Sequence, residues 1–241
     1  MTYTFKILRF DPLKDKAAYF QDFFHSPHPK DSVLDALKDI RDQQDPSMSF
    51  RYSCREAVCG SCAIVINGEI RLACRTTVES LNSENIVLEP LPNLEQQKDL
   101  MVDMDPFFDA LHLIEPYMQP QKNPPENGYR IEDAEMEKIY QYINCIMCGS
   151  CYAACPVETR DETYLGPAAL AKLYRFIQDP RDKRPFSSWE KVNSQSGIWG
   201  CDTVFRCNEV CPKDVRPADG ILGLRRKMAV KKTKKLFKKE K

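Results

Sequence analysis

Apolar and polar positions alternate along TYTFKILRF, and that period of two predicts a β-strand. In DSVLDALKDIRD the pattern changes: Val33, Leu34, Leu37 and Ile40 recur at helical spacing and predict an amphipathic helix. AIVINGEIRLAC sets two alternating runs about Asn67-Gly68, the pair favoured in a two-residue type I′ turn, and so predicts a β-hairpin. After IVLEPLPN a helix is expected from about Asp105 to Tyr117, followed by MQPQKNPPENG, whose prolines and closing glycine read as a linker. Beyond it the periodicity is helical: EDAEMEKIYQYI, GPAALAKLYRFIQ with Pro167 in its first turn, and PADGILGLRRKMAV. The expected fold class is α+β, with a sheet-and-helix domain over residues 1–120 and a helical domain over residues 121–241.

With 241 residues and 42% hydrophobic content, the chain is long enough for one large or two small domains, each with a core. Its apolar runs fall short of the ~20 residues of a membrane-spanning helix, and MTYTFKILRF has no basic head followed by an apolar signal core. A cytoplasmic chain is expected. The formal net charge of +0 conceals two unequal halves: residues 1–128 hold 13 Lys/Arg against 20 Asp/Glu, and residues 129–241 hold 22 against 15. Much of the basic excess lies in RRKMAVKKTKKLFKKEK from Arg225, where ten basic residues face Glu240 alone. Such a tail is either a solvated helix end or a contact for anionic lipid headgroups, each basic residue near the surface adding ~1 kcal/mol. No aromatic or basic surface motif accompanies it, so nucleic acid is not an expected partner.

The chemistry lies in the cysteines. There are eleven, an odd number bunched at short gaps, which points to metal ligation in a reducing compartment rather than to disulfides. Cys54, Cys59, Cys62 and Cys74 open with the C-x4-C-x2-C spacing of plant-type 2Fe-2S sites. In that reading the loop SCREAVCGSC wraps the cluster, Gly60 permits a close approach, and the hairpin returns Cys74 to complete the set. A structural zinc site is the alternative; zinc usually takes C-x2-C pairs, and the four-residue first gap favours iron and sulfide.

Cys145, Cys148, Cys151 and Cys155-Pro156 form the full bacterial ferredoxin run, in which the fourth cysteine ligates the other cluster. Cys201, Cys207 and Cys211-Pro212 repeat it with Val204 in the second ligand position. Applying the crossover, Cys145, Cys148, Cys151 and Cys211 suffice for a 4Fe-4S cluster. Cys155, Cys201 and Cys207 are one ligand short, and a cubane without its fourth ligand tends to lose that corner iron. The expected third cluster is 3Fe-4S. A 4Fe-4S cluster with an open iron is the alternative, disfavoured because valine fills the corner and offers no ligand.

Together, CREAVCGSC, CIMCGSCYAACP and CDTVFRCNEVCPKD resemble the iron–sulfur subunits of succinate dehydrogenase and fumarate reductase, the respiratory complex II family, over nearly the whole chain. The resemblance implies a β-grasp 2Fe-2S ferredoxin domain followed by an α-helical ferredoxin domain. It implies an oxidoreductase subunit with no catalytic residue of its own, conducting electrons through 2Fe-2S, 4Fe-4S and 3Fe-4S clusters. The implied partners are a flavoprotein carrying FAD and the succinate/fumarate site, and a membrane-anchor cytochrome b subunit with haem b and menaquinone. The implied location is peripheral, on the cytoplasmic side of the inner membrane. No GxGxxG occurs, consistent with flavin on a partner.

GIWGC before Cys201 and LRRKMAV near the end resemble the branch whose single membrane subunit carries two haems and serves menaquinone. Many relatives follow Cys-Pro with tryptophans that help line a quinone pocket; here Pro156 leads into Val157-Glu158-Thr159-Arg160, so a quinone contact from this subunit is not expected. A subunit of a thiol-linked fumarate reductase is the alternative, but the CCG-type motifs expected there do not follow Cys211. His25 and His28 in FFHSPHPK read as surface histidines of a proline-rich loop, a metal pair being the alternative, and His112 as a structural histidine on a helix. Trp199 reads as buried packing beside a cluster, with a membrane-side contact as the alternative. Arg55 and Arg75, each following a cluster cysteine, either offset cluster charge or pair with carboxylates of a partner.

Overall fold

The computed structural model describes residues 2–123 and 125–237, with side chains as far as 231. It contains two compact units, Met1–Pro106 with Ile146–Ala154, and Phe107–Cys145 with Cys155–Lys241. The elements of the first stretch are β1 (Tyr3–Arg9), β2 (Tyr19–His25), α1 (Val33–Gln43), β3 (Ala63–Ile66), β4 (Glu69–Leu72), β5 (Asn85–Glu89), β6 (Gln96–Lys98), β7 (Met101–Val102) and α2 (Asp105–Leu113). They are followed by α3 (Asp133–Ile143), α4 (Ser150–Ala153), α5 (Gly166–Gln178), α6 (Phe186–Glu190), α7 (Arg206–Glu209) and α8 (Pro217–Phe237). The fold class is α+β, as expected.

In the first unit a five-stranded sheet runs β2-β1-β5-β3-β4, with β1 and β5 parallel and the other pairs antiparallel. The expected hairpin is β3–β4, and Asn67 and Gly68 take φ of 49° and 80°, the two left-handed positions of a type I′ turn. Helix α1 begins with a capping box: the Ser32 hydroxyl accepts from the Asp35 N–H, and the Asp35 carboxylate accepts from the Ser32 N–H, both at 3.2 Å. Its predicted apolar face, Val33, Leu34, Leu37 and Ile40, is buried together with Phe5, Ile7, Ile86 and Leu88 of the sheet. Burying each such side chain contributes roughly 1.5–3 kcal/mol.

Strand β2 was not expected. Its aromatics fall on both faces, Phe23 buried on one and Phe20 and Phe24 exposed on the other, while Tyr19, on the face of Phe23, is exposed, so the apolar–polar alternation that marks a half-buried strand is absent. His25 is thereby corrected: it ends β2 rather than lying in a surface loop, with Nε2 3.4 Å from the Asp39 carboxylate and its ring 6.4 Å from that of Phe5. His28 is exposed as expected, whereas His112, on α2, is exposed rather than structural. Helix α2 stops at Leu113, short of Tyr117, because Pro116 disfavours helical geometry at the residue before it; Glu115 turns left-handed at φ 52°.

A buried charge network ties the sheet to its loops. Arg9, 5% exposed, donates to Asp99 at 2.9 Å, Gln21 and Asp45 at 2.6 Å each, and Ser47 at 3.3 Å. Asp99, 1% exposed, also accepts from the Phe10 and Ser49 N–H groups. Arg9→Met leaves this buried carboxylate without its cation and is expected to cost about 3–5 kcal/mol, whereas Arg9→Met with Asp99→Asn should recover a large part; urea denaturation of the three proteins checks both. Burial opposes ionisation of Asp45, but hydrogen bonds from Ser47 and Arg9 outweigh it and bring the carboxyl down to about 2. Its pKa is lower folded than unfolded, so this stabilisation is complete above pH ~4 and lost as pH falls through about 2.

In the second unit α5 packs against both α3 and α8. Gly220 lets α8 come close: a Cβ there would stand 3.2 Å from Ala171 Cα and from the Tyr142 ring. Arg184, paired with buried Asp182, donates to the carbonyls of Ile114, Glu115 and Tyr117 and so fastens the segment after α2.

Candidate metal centres

The first cysteine set sits on a loop turned inside out. Arg55 and Ala57 adopt φ of 61° and 54°, and these left-handed residues aim consecutive N–H groups at sulfur. The N–H groups of Glu56, Val58 and Cys59 donate to Cys54 Sγ at 3.2–3.4 Å, that of Cys54 to Cys59 Sγ at 3.4 Å, and that of Ala57 to Cys74 Sγ at 3.3 Å. The hairpin brings Cys74 back, with the Ala73 N–H on the Cys62 carbonyl at 3.0 Å. Burial opposes ionisation of Cys59, but hydrogen bonds from Ser61 and the Cys54 N–H outweigh it and lower the thiol to about 6. Burial pushes Cys62 up to about 12, with Cys74 and Cys59 adding like charge. Donors converging on sulfur suit thiolates holding an iron–sulfur cluster, and loading such a site releases protons.

Gly60 has a role beyond the one its sequence position suggests. Its φ is 75°, and a Cβ would fall 2.8 Å from both Cys148 Cβ and the Ile146 carbonyl oxygen. The first cysteine loop therefore lies directly against the turn Ile146–Cys148 of the second run. Within that turn Met147 is left-handed at φ 53°, Gly149 at φ 82° precedes α4, and Cys148 Sγ lies 3.2 Å from the buried Ser150 hydroxyl. Cys151 follows on α4. In the second unit Cys145 and Cys211 pack on one cluster of Tyr142, Ala171 and Val215, and the Val215 N–H donates to Cys211 Sγ at 3.3 Å.

Cys155, Cys201 and Cys207 line one small hollow, with Tyr164, Thr203 and Val204 on its wall. Thr203 and Phe205 are both left-handed at φ 61°, and the Thr203 N–H donates to Cys201 Sγ at 3.4 Å. Arg225 clamps this loop, donating to the Ile198 and Cys201 carbonyls at 2.7 and 2.6 Å and to the Thr203 hydroxyl at 3.3 Å. Burial pushes the Cys207 thiol up to about 12 and raises that of Cys155. Burial, then the neighbouring Cys201, Cys155 and Glu158, push the Tyr164 phenol up as well.

Some details differ from expectation. Val204 forms part of the wall of the hollow and is 50% exposed. Trp199 is 38% exposed rather than buried, its Nε1–H on Asn193 at 2.7 Å and the Arg225 guanidinium 5.6 Å from its ring. Arg55 and Arg75 are exposed, as both readings of them require. Among those residues, no three His, Cys, Asp or Glu side chains close around a single-ion position. Sequence reasoning missed the left-handed residues between the cysteines, because Arg, Ala, Met, Thr and Phe carry no such signal.

Residues 4–109 match the model of the 2Fe-2S iron-sulfur cluster binding domain, and residues 141–215 that of the 4Fe-4S dicluster domain. The chain is 38% identical to an Escherichia coli fumarate reductase iron-sulfur subunit over 218 residues, covering 90% of this chain and 88% of that one. It is 37% identical to a mitochondrial succinate dehydrogenase (ubiquinone) iron-sulfur subunit of Oryza sativa, covering 91% and 80%. In fold it is similar to a chain of the Mycobacterium smegmatis Sdh1 complex in the apo form, with a TM-score of 0.87, 24% identity, and 96% and 97% of the two chains covered.

Proposed function

Because this chain belongs to the family of iron–sulfur subunits of succinate dehydrogenase and fumarate reductase, we propose that it conducts electrons between a flavoprotein and a quinone-linked membrane anchor. In this reading Cys54, Cys59, Cys62 and Cys74 hold 2Fe-2S in a β-grasp domain over residues 1–120. Cys145, Cys148, Cys151 and Cys211 hold 4Fe-4S, and Cys155, Cys201 and Cys207 hold 3Fe-4S, in a helical domain over residues 121–241. When bound, iron–sulfur clusters supply one-electron carriage at potentials set by cluster type, charge, hydrogen bonds and exposure. The chain's own residues supply those settings.

The observation that carries the reading is the contrast between sites: five N–H donors aimed at sulfur in the first set, and three cysteines around one hollow in the third. The first loop exposes Cys54, Glu56 and Val58, a face through which an electron from FAD on the partner can enter. Beside the third set Trp199, Val204 and Phe205 are partly exposed, an apolar face suited to a membrane anchor. No helix among the described residues is long and apolar enough to cross a membrane. Purifying the intact complex tests this reading: FAD, haem b and menaquinone should copurify, with two haems on a single anchor. A complex lacking haem and quinone contradicts the anchor assignment.

The basic tail belongs to the same reading. Lys231 is engaged, its ammonium 3.7 Å from the Phe186 ring centroid and 5.4 Å from that of Trp189; the side chains from 232 onward lie outside the described residues. Removing residues from Lys231 onward is expected to weaken attachment more at low salt than at high salt, because the ~8–10 Å screening length near physiological salt shortens the reach of charge. Sedimentation of membranes across a salt series measures it. Attachment unchanged at every ionic strength marks the tail as a solvated end.

A further inference from the structure

The cysteine arithmetic leaves Tyr164 unexplained. Its side chain is buried, and its hydroxyl makes no well-formed hydrogen bond in the protein, although it lies within reach of the Cys201 sulfur. A buried phenolic O–H without a partner is rare, because desolvation is not repaid. Tyr164 also lines the hollow that holds Cys155, Cys201 and Cys207. Its ring is held from behind: Cδ2 lies 3.1 Å from where a Cβ on Gly200 would stand, so bare backbone next to Cys201 fixes the ring's depth. The backbone donors to this set are already committed, the Thr203 N–H to Cys201, those of Val157 and Glu158 to Cys155 and that of Ala218 to Cys207.

We propose that Tyr164 is a positioning residue whose O–H donates a hydrogen bond to a sulfur of the cluster held by Cys155, Cys201 and Cys207, raising that cluster's reduction potential. The proposal rests on the three-cysteine reading above. Reduction adds one electron, and the negative charge it places on sulfur is stabilised by a donor more than the charge of the oxidised form is. The proton stays on the phenol. A donor here makes the last cluster before the acceptor easier to reduce.

The test is a redox titration of the intact complex followed by electron paramagnetic resonance, comparing wild type with Tyr164→Phe. The phenylalanine keeps the ring against Gly200 and removes only the donor. At a fixed ambient potential the ratio of reduced to oxidised 3Fe-4S cluster should fall about tenfold, which is ~59 mV for a one-electron couple, with the signal amplitude retained. An unchanged midpoint with full signal overturns the proposal. If the phenylalanine variant loses the cluster, 3,5-difluorotyrosine at position 164 decides: a stronger donor of nearly the same shape should raise the midpoint, and no rise overturns the proposal. Absence of a 3Fe-4S signal in wild type overturns the three-cysteine reading itself, and is distinguishable from a signal whose midpoint ignores residue 164.

Discussion

Val204→Cys should remove most of the 3Fe-4S signal from the oxidised protein and replace it with a 4Fe-4S cluster that is visible when reduced. The substitution restores a thiol at the ferredoxin spacing, on a wall shared with Cys155, Cys201 and Cys207. Val204 is half exposed, and cysteine is smaller, so no packing has to give. The strained backbone around it, Thr203 and Phe205 both at φ 61°, is held by the Arg225 clamp rather than by the valine, and should survive the change. Gaining an iron and a thiolate changes the redox couple, and the expected direction is toward lower potential. Quinone-linked turnover then slows more than flavin-linked dye reduction. An unaltered 3Fe-4S signal in this variant means that residue 204 does not select the cluster type.

Gly60→Ala is expected to be the most damaging single methyl in the first unit. A Cβ meets backbone atoms of Ile146 and Cys148 at 2.8–2.9 Å, and neither is the free end of a flexible side chain. Gly68 is the control, because its φ of 80° matches the 75° of Gly60 while nothing lies within 4 Å of its Cβ position. Gly68→Ala should cost about 1 kcal/mol, the left-handed strain alone. Gly60→Ala adds overpacking and should cost roughly 2–4 kcal/mol in total. The measurement is loss of visible cluster absorbance on heating, for both variants beside wild type. Equal shifts in the two variants refute a tight contact between the first cysteine loop and the Ile146–Cys148 turn.

The fold was legible where one period dominated. The capped helix α1 follows from Ser32 and four apolar positions, and the hairpin from Asn67-Gly68. β2 was not legible, because an edge strand carrying Phe20 and Phe24 outward and Phe23 inward has no alternation to read. The 2Fe-2S and 4Fe-4S sites announced themselves through cysteine spacing, which is set by how a short loop can surround a cluster. Spacing could not reveal the N–H groups aimed at Cys54, since a left-handed Arg55 or Ala57 looks ordinary in sequence. Nor could it reveal Arg225 reaching back to the Cys201 carbonyl, or Tyr164 beside the same hollow, because those meetings depend on tertiary packing.

The central claim is that this chain carries three clusters of different type, with Val204 setting the third. It is tested most directly by low-temperature electron paramagnetic resonance of the oxidised wild-type complex, run beside iron and acid-labile sulfide analysis of the same sample. About nine irons are expected per chain, together with a 3Fe-4S signal in the oxidised state. Zinc without labile sulfide, or full iron content with no 3Fe-4S signal, contradicts the account.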